Sequence, residues 1–248
     1  MKIVGIIQAR TGSKRLPNKV LQELVPGVSV LEMLVMRLRR STLLTHIYIA
    51  TTILSEDTPI VELAKRMNIH LYRGDPLDVQ SRYLNVASIS KADIIVRITS
   101  DCPFLDPSIV DFAIMTYIDS PANSYVSTAL NPYYSAGQHV EVMSKEILYD
   151  ASYRSRHPDC IEHVTPYIYN NPDKYNCIPL PSSVDGSWAR LTIDFEDDLN
   201  FARNLSSCIP WKSASLGYIL DYLKVNQHLL SINSHHILDQ KLVRVYVE

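Results

Sequence analysis

Glycine is scarce in this chain, with seven among 248 residues. Glycine-rich phosphate loops are accordingly missing: no G-x-G-x-x-G follows the first apolar run, and Gly12-Ser13-Lys14 lacks the Gly-Lys-Ser/Thr order of a P-loop. Cysteine is sparser still. Cys102, Cys160, Cys177 and Cys208 are widely scattered with no C-x-x-C pair, which excludes a dense disulfide framework or a cysteine zinc site and reads as reduced thiols in a cytosolic protein. No stretch approaches the roughly 18 apolar residues of a membrane span, and the run after Met1-Lys2 is too short for the apolar region of a secretory leader. Charge is balanced as well. With 24 basic and 26 acidic side chains the net is −2, so no global basic field recruits nucleic acid or a membrane. No His/Cys cluster has zinc spacing and no Ser-His-Asp arrangement can be argued. A soluble cytoplasmic protein is the expectation.

What is present is 46% hydrophobic residues over a length able to bury a substantial core. We read a single domain over 1–248, with no internal repeat, low-complexity segment or linker. Apolar runs at Lys2–Ile7, His46–Thr51, Ile69–Arg73 and Asp93–Thr99 read as strands. Between them lie helical patterns over Val30 to Leu44, Ile60 to Met67 (with Thr58 as cap and Pro59 at the first helical position) and Val79 to Ser88. Strands alternating with helices at this spacing predict an α/β fold, a mostly parallel sheet flanked by helices on both faces. The second half is less regular. Leu130 to Ser135 reads as a loop, and His139–Val142 and Trp188–Asp194 as strands. Helical patterns follow from Glu196 through Leu205 and over Leu216 to Leu230, and Leu242 to Val247 reads as a final strand or tail. Asp159 to Asn171 carries Pro166 inside a helical pattern, so it is either kinked or two pieces split at Thr165.

The organising stretch is Met1 to Leu21. A buried strand empties into Gln8-Ala9-Arg10-Thr11-Gly12-Ser13-Lys14-Arg15-Leu16-Pro17-Asn18-Lys19, where Arg10, Lys14, Arg15 and Lys19 put four cations within ten residues. A loop at the carboxyl edge of a parallel sheet lies where open α/β folds bind ligands, and loop amides with fixed cations suit a polyphosphate. A solvated basic turn is the plainer alternative. Asp101 follows the fourth strand directly and faces the same edge; it is either a magnesium ligand or a cap for the turn before Pro103. Asp194 ends a later strand on one face with Arg190 and Thr192, so two strand-end aspartates can share a Mg²⁺ with nucleotide phosphates. A helix N-cap is the alternative there. Arg73, Ser81 and Thr99 lie along the same edge as candidate nucleoside contacts. For Arg73 an ion pair with Asp75 or Asp78 is an equal alternative.

Ala9-Arg10, Arg15-Leu16-Pro17 and Lys19 resemble the opening signature of the CMP-sugar synthetases, cytidylyltransferases that activate acidic sugars. Within them the chain is most similar to the spore-coat polysaccharide, or SpsF-like, branch. The resemblance is strong over residues 1–110 and patchy over 135–205. It implies a Rossmann-like nucleotidyltransferase fold with CTP and a small acidic sugar or phosphorylated acceptor as substrates, and release of pyrophosphate. Ala9, Gly12 and Ser13 would then join the cations around the nucleotide, with Arg10 and Lys19 as the phosphate pair and Arg15 between them. Asp101 and Asp194, the latter in Thr192-Ile193-Asp194…Asp197-Asp198-Leu199, match the Mg²⁺-binding positions. Gly137-x-His139-x-Glu141-Val142 and Glu162-His163-Val164-Thr165-Pro166-Tyr167 look like patches of the SpsF-like branch, which implies His139, Glu141 and His163 in the acceptor pocket. A small excursion over about 130–175, serving a homodimer, is also implied. A nucleotide-sugar glycosyltransferase is the second reading, against which Asp101-Cys102-Pro103 is no D-x-D; a non-catalytic nucleotide-binding protein is the third.

Overall fold

Ile3–Gln8 forms strand β1, and its alternation decides which layer each residue joins. In the computed structural model, which describes residues 1–237, Ile3 and Ile7 enter one apolar cluster and Val4 and Ile6 the other. A strand buried on both faces belongs at the centre of a parallel sheet. Parallel neighbours β4 (His46–Thr52) and β6 (Ile94–Thr99) flank it, with β5 (His70–Gly74) outside β4. Beyond β6 the sheet continues through β8 (Glu141–Ser144), β7 (Ser124–Ser127) and β9 (Asn176–Pro179). Only β8 runs against the others. A separate two-stranded ribbon pairs β2 (Glu23–Val25) with β3 (Val28–Ser29).

Helices cover both faces. One layer is built on α1 (Val30–Leu38), α2 (Thr58–Arg66), α4 (Pro107–Ile118), α8 (Glu196–Cys208), α9 (Leu216–Val225) and α10 (Gln227–Leu230); the other on α3 (Val79–Ser90), α5 (Lys145–Arg154), α6 (Pro158–His163) and α7 (Pro166–Tyr169). Ser29 caps α1 through a reciprocal bond with Glu32. The mostly parallel, helix-flanked α/β sheet read from the sequence is the one found. Among the described residues, no helix is long and apolar enough to cross a membrane, and all four cysteines are free.

Several expectations need correction. The helix predicted to reach Leu44 ends at Leu38, because Asp111 on α4 accepts the Thr42 and Leu43 N–H groups and both the Ser41 and Thr42 hydroxyls. Those donors are lost to helix propagation. Asp57, not Thr58, holds the cap position of α2. Of the two alternatives for Asp159 to Asn171, the split is the one found: α6 ends at His163 and α7 begins at Pro166 with Thr165 as its cap, Val164 taking a left-handed φ of 74° between them. Leu216 to Leu230 also breaks, at Asn226, whose side-chain amide donates to the Tyr222 carbonyl. The strand read at His139–Val142 begins instead at Glu141. Trp188–Asp194 is no strand: its ladder is a single bridge, Ala136 to Arg190. It crosses over Gly137, where a Cβ would lie 2.5 Å from the Leu191 carbonyl carbon, so only glycine admits this crossing. Helices α4 and α5 and strands β7 and β9 were not anticipated. The tail read at Leu242 to Val247 lies outside the described residues.

Arg37 locks the first layer. It is fully buried on α1, and its guanidinium donates to the carbonyls of Leu105 (3.1 Å), Phe104 (3.2 Å), Ala214 (2.9 Å) and Trp211. Burial pulls its pKa down to about 10, which leaves it charged at neutral pH and dependent on those four acceptors. Replacing it with leucine strands the carbonyls, so Arg37→Leu should lose roughly 3 kcal/mol or more of stability. Arg37→Lys should recover less than half, because an ammonium cannot span the fork. Urea midpoints test both, and a leucine variant as stable as the parent would refute the role.

Candidate active site

The path of the chain sets where a ligand can sit. From β1 it steps outward to β4 and β5, then returns to β6 on the other side of β1. The strand order therefore reverses between β1 and β6, and their carboxyl ends open a crevice there. The loop after β1 and the turn after β6 line a cleft of about 390 Å³. Arg10, Lys14, Arg15, Lys19 and Arg82 bring five cations to it, and Asp101, Glu162 and Asp194 three carboxylates.

The basic loop is held in shape from beneath. Asp57, fully buried, accepts the Thr11 N–H and the Thr11 hydroxyl, both at 2.7 Å, and the Thr52 N–H and hydroxyl. Burial pushes the Asp57 carboxyl up, but these donors outweigh it and hold it below its ordinary value. The Thr11 carbonyl then accepts the N–H groups of Ser13 and Asn18, and Asn18 takes a left-handed φ of 57°. That turn aims Lys19 back into the cleft.

Lys19 is where the cleft closes. Its ammonium donates to Asp101 Oδ2 at 2.8 Å, Asp194 Oδ1 at 2.9 Å and the Ile193 carbonyl at 2.8 Å. Burial lowers the Lys19 pKa, and the two carboxylates more than reverse this, leaving it raised. For Asp101, burial pushes up while the Lys19 ammonium brings the carboxyl down to about 2. Arg15 also reaches Asp194 Oδ1, at 2.8 Å, and lies 5.0 Å from the centre of the Phe195 ring. A buried pair supports Asp194 from behind. Arg190 grips Asp198 at 2.8 and 2.9 Å and Asp194 Oδ2 at 3.0 Å, while Asp198 Oδ2 accepts the N–H groups of Asp194 and Phe195.

Of the residues singled out in the sequence, Ala9, Arg10, Ser13, Arg15, Lys19, Thr99, Asp101, His163 and Asp194 all line the cleft. The exposed Arg10 sits 3.7 Å from Glu162. Gly12 is in the loop, but faces Glu56. Arg73 does not reach the cleft. It donates to the Thr52 and Leu54 carbonyls at 2.9 Å, and its partner is neither Asp75 nor Asp78. Ser81 is taken up by the start of α3, bonded to Asp78. Glu141 is buried in the sheet at the start of β8, paired with Arg97 at 2.6 Å across β6 and β8, and His139 precedes it, both outside the cleft lining. Sequence reasoning missed Asp57 and Arg82. Arg82 is buried on α3 and donates to the Asp75 carbonyl; an arginine on the apolar side of a helix was the signal available.

The Asp57 bonds make a prediction about acid stability. Asp57→Asn should lose about 1–3 kcal/mol at pH 7. The native carboxyl titrates below its unfolded value, so its contribution is complete above the ordinary carboxylate pKa of about 3.9 and fades as pH falls through the native value. The gap between variant and parent should therefore narrow at pH 3. Urea unfolding at both pH values decides it, and a gap unchanged by pH would refute the assignment.

Comparison with known proteins now bears on this geometry. A sequence model of the Cytidylyltransferase family matches residues 4–230. An uncharacterized protein of Methanocaldococcus jannaschii is 38% identical over 237 residues, covering 95% of this chain and 96% of its own. The spore coat polysaccharide biosynthesis protein SpsF of Bacillus subtilis is 33% identical over 204 residues, 79% of this chain and 82% of its own. Among solved structures, a cytidylyltransferase from Leptospira borgpetersenii superposes with a TM-score of 0.89 at 29% identity, covering 92% of this chain and 96% of that one. The family match runs from β1 to α10 and takes in the basic loop and both cleft aspartates, and the chain belongs to the cytidylyltransferase family, CTP-dependent nucleotidyltransferases.

Proposed function

We propose that the enzyme transfers CMP from CTP to an acidic sugar or related acceptor, releasing pyrophosphate, in the synthesis of a surface polysaccharide or glycan. The observation that carries this reading is the Lys19 ammonium held between Asp101 and Asp194 at the reversal point of the sheet. The likeness to SpsF supports the polysaccharide setting.

The acceptors converging on that ammonium are all oxygens: two carboxylates and the Ile193 carbonyl. Hard oxygen donors with one or two carboxylates suit Mg²⁺, and Asp101 and Asp194 would hold it. Bound there, the ion would neutralise charge on the nucleotide phosphates. Lys19, Arg15 and Arg10 would then be drawn to the triphosphate, arginine as a fork and lysine as a point charge. An acceptor oxygen attacks the α-phosphorus, the bond to the bridging oxygen of pyrophosphate breaks, and the attacking hydroxyl gives its proton to solvent. The cations stabilise the charge that grows on the leaving group, and Arg190 and Asp198 keep Asp194 in place. No covalent enzyme intermediate is required. On the acceptor side His163 and Glu162 line the cleft, while Glu141 acts by fixing Arg97.

Pyrophosphate release should appear with CTP, and not with ATP, GTP or UTP, when nonulosonic, octulosonic and phosphorylated acceptors are offered with Mg²⁺. Asp101→Asn should cut turnover by about 10²–10³ while the protein remains folded. Parent-like activity in that variant would overturn the metal and phosphate assignment, and release of nucleoside diphosphate in place of pyrophosphate would overturn the reaction class. The same reading makes the enzyme a homodimer through the 130–175 region, where Tyr133, Tyr149 and Tyr153 are exposed. Sedimentation should give twice the 28.2 kDa chain mass; a monomer at micromolar concentration would refute it.

A further inference from the structure

Next to Phe195, and outside the cleft lining, the first turn of α8 meets the last described residues. Asp197 Oδ2 lies 3.1 Å from His235 Nε2 and 3.6 Å from His236 Nε2. The candidate donor atoms of the three side chains all fall within 4.8 Å of one another. Consecutive residues on a regular α-helix point about 100° apart. In the Ser234–His236 turn both imidazoles nonetheless reach one carboxylate oxygen, their ring centres 4.0 Å apart. The His236 ring is held in its orientation by stacking on Phe195, at 4.0 Å and 8°.

These distances and donor types fit a particular kind of ion. Zinc bonds to imidazole nitrogen and carboxylate oxygen of about 2.0–2.1 Å, set at the tetrahedral angle, put neighbouring donors about 3.3–3.4 Å apart. The two observed separations bracket that edge. Two imidazoles and one carboxylate are borderline donors that favour Zn²⁺ or a similar transition metal over Mg²⁺, in contrast to the oxygen-only set in the cleft. Three protein ligands leave the fourth position for water. We propose that Asp197, His235 and His236 form a transition-metal site, selective for Zn²⁺ over Mg²⁺, that fastens the 231–237 segment to the head of α8. Because His236 stacks on Phe195 and Arg15 lies 5.0 Å from the centre of the same ring, the site holds in place the ring against which a cleft cation rests.

The test uses the full chain, stripped with a chelator and titrated with Zn²⁺ against a chromophoric competitor. About one equivalent should bind per chain, millimolar Mg²⁺ should not displace it, and Asp101→Asn should retain it. His235→Ala and His236→Ala should each weaken binding at least about tenfold, since even groups behind metal ligands are worth that much. Zn²⁺ should raise Tm in the parent and not in these variants. Co²⁺ loaded into the parent gives a readout that needs no variant: intense visible absorption is expected of a four-coordinate site. Zinc retained undiminished by His235→Ala, displacement by Mg²⁺, or the weak absorption of octahedral Co²⁺ would each overturn the proposal.

Discussion

One ammonium group holds the cleft edge of this molecule together. Lys19 sits between two carboxylates that come from positions 82 and 175 residues further along the chain. Without a cation between them, Asp101 and Asp194 would repel across a few ångströms in a partly desolvated cleft. The arrangement thus stores two negative charges against one movable positive one. On the proposed reading, a polyphosphate would bring further negative charge and its own counter-ion, giving the ammonium somewhere to go and the carboxylates something to receive. Compensation of this sort explains why a chain of nearly zero net charge concentrates so many ionic groups in one crevice.

That crevice is stiff because its supports are buried and fully bonded. Asp57 beneath the loop and Asp198 behind Asp194 are both completely enclosed, and each spends its oxygens on backbone N–H groups as well as side chains. A buried carboxylate satisfied in this way fixes main-chain positions and not merely side-chain rotamers. The loop therefore needs few glycines: its shape comes from acceptors placed below it, where a P-loop would use backbone freedom.

The parts legible in the sequence were those governed by short-range pattern. Short apolar, β-branched runs at Lys2–Ile7 and Asp93–Thr99 gave the central strands, and the crowding of cations after the first of them gave the cleft. Proximity in sequence could not show that Glu141 faces Arg97, because antiparallel β8 inserts beside β6 from 44 residues away. Nor could it show that Trp188–Asp194 has a single bridge in place of a partner strand, since apolar alternation is the same in a ladder and in a lone segment packed over Gly137. Helix α4 carried a visible start, Asp106-Pro107, but it is apolar on most sides, so the usual two-faced pattern is weak. Arg73 shows the opposite failure. Its charge suggested a ligand, whereas the fold uses it to tie together two backbone carbonyls at the end of β4.

The burial of Arg37 has a consequence for how the protein is made. Its guanidinium sits on the first helix, yet two of its four acceptors, Trp211 and Ala214, lie 174 and 177 positions later. While the chain emerges from a ribosome, those acceptors do not exist for most of synthesis, and a buried arginine with half its partners missing is costly. The amino-terminal half, which carries the basic loop, cannot settle into its final packing until residues 211–214 have been translated. Its charged loop and half-covered sheet must wait in a loosely assembled state, during which this enzyme is most open to chaperones and proteases.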